Sequence, residues 1–278
     1  MDRILQMEVR LSPFDHRGPS VYLRDVALNL LGKSRGLGES HYVFEASGRR
    51  VAYCYIRKNA STAFKRLIVD SSPHREALED CGSRIRFLER YHREDRLKAL
   101  AACDYRIFVY RDVLRRMASL FVNKFVLSEG AADISKDVAQ RLGRPVEALS
   151  FERFVEAYLD GARNVNELDP HVWEQVSHLR PLHYTHAIPL ERLEADMASI
   201  LGRDRAREYF GRKVNVAGAG KGIDAADVAS WDVASLRARH GLDGSLPTYA
   251  QLLRADLASC LSRIYRRDER MIRRIRQQ

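Results

Sequence analysis

The stretch from Arg50 to Asp70, RVAYCYIRKNASTAFKRLIVD, opens as a β-rich run, crosses a polar turn at Arg57 to Ser61, and continues with helical spacing from Thr62. It reads as strand, tight loop, helix. A loop of that kind aims backbone N–H groups and the positive end of a helix dipole at one point, which suits a phosphate. Just upstream, HYVFEA (41–46) is a second β-rich run, and Ser47, Gly48 and Arg49 between the two predict a hairpin turn. The pattern recurs downstream. YRIFVY (105–110) predicts a strand, RDV a turn, and LRRMASLFVNKFV (114–126) a helix whose Leu114, Met117, Ala118, Phe121, Val122 and Phe125 form a buried stripe. The charged helical segment Arg75 to Leu100 is long enough to cross between parallel strands. The fold class expected is therefore α/β, a parallel sheet flanked by helices, doubly wound or related.

Working outward, residues 1–40 read as an irregular lead-in around one helical stretch near Val21 to Leu31, and 41–278 as a single domain. Phe151 to Val165 predicts a helix, HYTHAI (183–188) a third strand, LERLEADMASIL (190–201) a helix, VNVAGAGKGI (214–223) a loop, and Pro247 to Arg274 one long helix.

A chain of 278 residues can bury a sizeable core. Its 47 Lys and Arg against 37 Asp and Glu give a net charge of +10, which concentrates anionic ligands without choosing among nucleotides, acidic glycans and nucleic acid. Seven arginines lie between Arg263 and Arg276, a run that reads first as a solvated helix face. Cys54, Cys81, Cys103 and Cys260 show neither zinc spacing nor a dense disulfide framework. No apolar run reaches the ~7–15 residues of a signal-peptide core or the ~18 of a membrane span, so a soluble cytoplasmic protein without membrane insertion is expected.

Within the first loop Lys58 supplies a mobile cation and Ser61 and Thr62 supply hydroxyl donors, a set that fits a 5′-phosphate and its transferable group. The glycines and the G-K-[ST] ending of a Walker A loop are missing. In the second unit Arg111 stands at a strand's C-terminal end, where open α/β sheets bind ligands, and Arg115, Ser119 and Asn123 form one helical row. A guanidinium and a hydroxyl there could grip a second phosphate. The alternative is an Arg111–Asp112 turn pair beside a solvent-facing row, and spacing alone does not bring Arg111 and Ser119 together.

Jointly these segments resemble a known family. IRKNASTAFKRL (56–67) is similar to the 5′-phosphosulfate loop of sulfotransferases that use 3′-phosphoadenosine 5′-phosphosulfate (PAPS), especially the carbohydrate sulfotransferases of the HNK-1, chondroitin and heparan types. VYRDVLRRMASLFVNKF (109–125) resembles that family's 3′-phosphate motif. DPHVWEQ (169–175), the segment Lys213 to Lys221, and IYRRDERMI (264–272) resemble its Asp-x-His-Trp-x-x-Gln element, late cofactor loop and terminal Tyr-x-x-Asp helix. There are departures. Arg57 and Val113 stand where the family usually has proline, and Val172 separates His171 from Trp173.

The resemblance implies a P-loop-like, nucleoside-kinase-like sulfotransferase fold, PAPS as donor with PAP as product, a saccharide acceptor, and neither metal nor nucleic acid. It implies Arg57, Lys58, Asn59, Ala60, Ser61 and Thr62 around the 5′-phosphosulfate, Arg111 and Ser119 on the 3′-phosphate, and Asn215 and Lys221 in the late loop. Lys58 would serve the leaving phosphate and His171 the acceptor proton, with His92, His183 and His186 as the other histidines near motif segments. Two rival classes are a nucleotide-dependent kinase and a non-enzymatic polyanion or nucleic-acid binder. The missing Walker A glycines oppose the first, and no helix-turn-helix, zinc or aromatic RNA-binding signature supports the second.

Overall fold

The computed structural model describes residues 40–211 and 222–277. Strands β1 (His41–Ala46) and β2 (Arg49–Cys54) form the hairpin, and the turn is only Ser47 and Gly48, at φ +51° and +70°. Two successive residues at positive φ match the twist of the paired strands, so Arg49 already pairs with Ala46. β3 (Tyr105–Tyr110) runs parallel to β2, and β4 (His186–Pro189) parallel to β3. The four-stranded sheet thus runs β1-β2-β3-β4 in chain order. It is parallel apart from the hairpin edge, and the order never reverses as it does in a doubly wound sheet.

The helices used below are α1 (Ser61–Asp70), α2 (Arg84–Tyr91), α3 (Leu97–Ala101), α4 (Val113–Phe121), α5 (Ala132–Leu142), α6 (Leu193–Leu201), α7 (Arg203–Phe210), α8 (Val233–Asp243), α9 (Ala255–Ile264) and α10 (Arg266–Arg276). The period of two along the strands divides the core between two faces. Val51, Tyr53, Ile107, Val109 and Ile188 meet Phe64 and Leu67 of α1, Phe87 of α2, Met197 of α6 and Tyr209 of α7. Ala52, Cys54, Phe108 and Tyr110 share the opposite core with Met117 and Phe121 of α4 and Leu257 and Leu261 of α9. Helices therefore cover both faces. The Tyr53 ring stacks on Phe64 at 3.9 Å between centroids, fixing α1 to the strand that feeds it.

Several predicted elements differ in extent. The helix beginning at Leu114 starts at Val113, because the Asp112 carboxylate caps it by accepting from Arg115 N at 3.0 Å instead of pairing with Arg111. It then widens into a π turn, Val122–Val126. A second π turn, Phe154–Leu159, ends the helix expected to reach Val165, and Phe121, Phe125 and Phe154 pack against one another where the two meet. The long helix expected over 247–274 is three pieces: Tyr249–Leu252, α9 and α10. Leu253 breaks it at ψ 64°, and Tyr265 breaks it again where its ring turns inward to full burial. The strand expected over 183–188, β4, begins at His186 and reaches Pro189. The stretch Val21 to Leu31 lies outside the described residues. Among the described residues no helix is long and apolar enough to cross a membrane.

Candidate active site

β2 and α1 are joined by Tyr55 to Ala60, and the loop bends through two left-handed residues that are not glycine, Lys58 at φ +70° and Ala60 at +57°. Each costs about 1–2 kcal/mol, so the surroundings must hold them. Asn59 between them does so from behind. Its side chain is fully buried, and Nδ2 donates to Val109 O at 2.8 Å and to Gln175 Oε1 at 2.6 Å. No side chain caps α1 at Ala60, which leaves the first N–H groups of the helix directed into the space in front of the loop.

The same Gln175 holds the second loop. Its Oε1 accepts from Arg111 N at 2.9 Å, and its Nε2 donates to Arg111 O at 3.0 Å. Behind it, the Asp268 carboxylate of α10 accepts from Gln175 N at 2.8 Å and Val176 N at 2.9 Å. One primary amide therefore ties the two loops together beyond the paired ends of β2 and β3. Arg111 in turn reaches forward, Nη2 donating to Tyr249 Oη at 2.8 Å.

In front of both loops lies a cleft of about 580 Å³, and Arg57, Lys58, Ala60, Ser61, Thr62, Arg111, Ser119 and His171 all line it. The convergence that spacing left open is thus present in the fold. Arg115 and Asn123, the rest of the Ser119 row, line it as well. Asn59 does not, since its side chain belongs to the wall. Asn215 and Lys221 lie outside the described residues.

The cleft is cationic: Arg57, Lys58, Lys65, Arg111, Arg115 and Lys124 face Glu129, Glu191 and Glu194. Lys58 Nζ donates to Asn123 Oδ1 at 2.7 Å, and Asn123 Nδ2 donates to Glu129. Burial, then the charges of Lys124 and Arg111, pull the Lys58 ammonium down to about 7. Lys65 and Lys124 are lowered too, again by burial first and then by neighbouring cations. A cluster of mutually depressed lysines has its protonation set by whatever anion enters.

His171 adds a different chemistry. Its Nδ1 lies 2.7 Å from Asp169 Oδ1, and Asp169 also accepts from His171 N at 2.8 Å. Burial alone would raise the Asp169 carboxyl, but the His171 hydrogen bonds and the Arg57 charge outweigh it and keep it below its ordinary value. An ionised Asp169 makes Nδ1 the donor and leaves the lone pair on Nε2. His171 is itself lowered, by burial and then by Arg57, so the ring stays neutral near pH 7. The other histidines near the motif segments stand away from the cleft. His92 bonds Val43 O and Ser72 Oγ, both at 2.8 Å, His186 bonds Thr185 Oγ1 at 2.9 Å, and neither these nor His183 line the cleft.

Reading the sequence by motif missed the scaffold roles of Gln175 and Asp268, although both stand in quoted elements, and missed Lys65 and Lys124 altogether. Lys65 was within reach of inference, since it follows Ser61 by one helical turn. The family model described as the sulfotransferase family matches residues 41–221. The chain belongs to the sulfotransferase family. That span contains the β2–α1 loop, Arg111, Ser119 and the His171–Asp169 pair, so the cleft of this sulfotransferase is formed largely by the matched segment. Comparison with curated proteins and with solved structures gives no match. Among the described residues of the sulfotransferase no group of three or more His, Cys, Asp or Glu could hold a metal ion.

Proposed function

We propose that this sulfotransferase takes its sulfuryl group from PAPS and places it on a saccharide hydroxyl. The observation that carries the reading is the convergence, on one cationic cleft, of the uncapped α1 N-terminus with Lys58, of Arg111 with Ser119, and of a neutral His171 held by Asp169. The α1 N–H groups with Ser61 and Thr62 would hold the 5′-phosphate, and Arg111 and Ser119 the 3′-phosphate. Nε2 of His171 would take the acceptor proton as the acceptor oxygen bonds to sulfur. The bond from sulfur to the bridging oxygen breaks, its electron pair stays on the 5′-phosphate of PAP, and Lys58 meets the charge that develops there. Positioning and electrostatics would then supply most of the acceleration, as in phosphoryl transfer.

An open polar cleft of this kind favours a sugar over a flat phenol, which wants a deep aromatic-lined pocket. We also infer a cytoplasmic setting, in keeping with four free cysteines. The test offers labelled PAPS with simple phenols beside neutral and acidic oligosaccharides. Transfer to saccharides is expected, and a preference for phenols would reject the acceptor assignment. Protection against melting by ADP but not PAP would reject the donor and return the kinase reading.

A further inference from the structure

We propose that Arg116 is the positioning residue for His171, an inference that rests on His171 acting as the base. Arg116 lies in α4 one residue after Arg115 and is fully buried. Its guanidinium donates to two main-chain carbonyls, Trp173 O through Nη1 at 2.8 Å and His171 O through Nη2 at 3.1 Å. Burying a guanidinium is expensive, and an apolar side chain of like volume would fill the space more cheaply. Two carbonyls on either side of Val172 are a clamp on the turn that carries His171. Nε finds no hydrogen-bond partner among the described residues, so the two carbonyls account for all the bonds the guanidinium makes there. Nearby, the Asp268 carboxylate supplies a balancing charge, and Tyr265 Oη donates to Val172 O at 2.6 Å, completing the grip.

The side chain of His171 is faced by Asp169 at 2.7 Å, by Arg57 Nη1 at 3.5 Å and, through space, by Lys124. Arg116 touches none of its ring atoms and acts through the backbone. One turn of α4 thereby serves two tasks. Arg115 and Ser119 line the cleft, while Arg116 fixes the base across from them.

The test compares Arg116→Met and Arg116→Lys in the full chain, measuring PAP affinity, kcat and KM for the acceptor, and the titration and tautomer of His171 by long-range 1H–15N NMR. A misplaced base should lower kcat in Arg116→Met by about 10–100-fold while PAP affinity stays within about threefold. The His171 titration should move up toward its ordinary value of about 6.5 as the ring leaves its desolvated slot. Lys at 116 can keep one of the two contacts, so smaller changes in the same direction are expected, and this variant decides the matter if the Met variant does not fold. An unchanged His171 titration and tautomer would overturn the proposal, as would parallel loss of PAP binding and kcat. If the wild-type protein transfers nothing from PAPS, the functional reading fails, yet the NMR comparison still decides whether Arg116 places His171.

Discussion

Binding of PAP should draw close to one proton from solution at pH 8, and replacing Lys58 with Met should remove that uptake. In the ligand-free cleft burial and the charges of Lys124 and Arg111 hold Lys58 at about 7. At pH 8 it is then about one-tenth protonated. A phosphate dianion beside Nζ reverses the balance and returns the group toward its ordinary value of about 10.4, so about 0.9 proton is taken up per ligand. The phosphates of PAP add little, since their second ionisation lies near about pH 6. The affinity should accordingly fall about 50-fold between pH 7 and pH 9 as the free lysine deprotonates, whereas the Lys58→Met protein should be nearly flat. Isothermal titration in two buffers of different ionisation enthalpy reads the proton count directly. Lys65 and Lys124 are present in both proteins, so the difference isolates Lys58. Equal uptake by the two proteins would refute the placement of Lys58 on the ligand phosphate. A linked consequence concerns the free protein: with the folded value below the unfolded one, its stability rises with pH from about 7 to about 10.4, and Lys58→Met should flatten that rise.

Further outcomes follow from the same geometry. Arg111→Ala should weaken PAP by about 10–100-fold, the loss of a charge-assisted contact of ~1.5–3 kcal/mol, while adenosine 5′-phosphosulfate, lacking the 3′-phosphate, changes little in competitive titration; equal losses would reject the 3′-phosphate assignment. His171→Asn should remove turnover but keep PAP affinity, and the acidic limb of the pH profile should disappear, whereas retained activity would assign the proton to another group. Gln175→Leu removes one of the two acceptors of Asn59 Nδ2, which keeps Val109 O, and takes the amide partner from both main-chain groups of Arg111, at about 1–3 kcal/mol for each group left unpaired, so calorimetry should show a lower melting temperature together with weaker PAP binding.

What could be read from the sequence was whatever rests on local chemistry. The β2-loop-α1 unit and the β3-α4 unit are written in contiguous residues, with apolar periodicity on either side of Lys58 and of Arg111, and both stand where they were expected. The break at Tyr265 was not legible. Helical periodicity continues through it, and only the distant acceptor Val172 O shows why the ring turns inward. The π turns escaped for a similar reason, because their apolar content fits an α-helix equally well. In the cleft, residue types announced Lys58, Ser61, Thr62 and Arg111. Asn59 looked like one more ligand contact, and only its bonds to Val109 and Gln175 show it to be part of the wall. The Arg116 clamp was hidden because its partners are backbone carbonyls, which no side-chain pattern encodes.

The bonds from Gln175 and Val176 to Asp268 have a consequence for biosynthesis. They join positions 93 and 92 residues apart, and the amide they fix is the one that ties the Asn59 loop to Arg111. On the ribosome the β2–α1 loop, Arg111 and Gln175 all emerge before the carboxylate that orients Gln175. A nascent chain stalled before α10 has left the exit tunnel carries every proposed phosphate contact of the first two motifs and still lacks the carboxylate that holds the Gln175 tie between them. On the proposed donor site, competence for nucleotide binding is expected to arrive only with α10, after the sheet and both helical layers are in place.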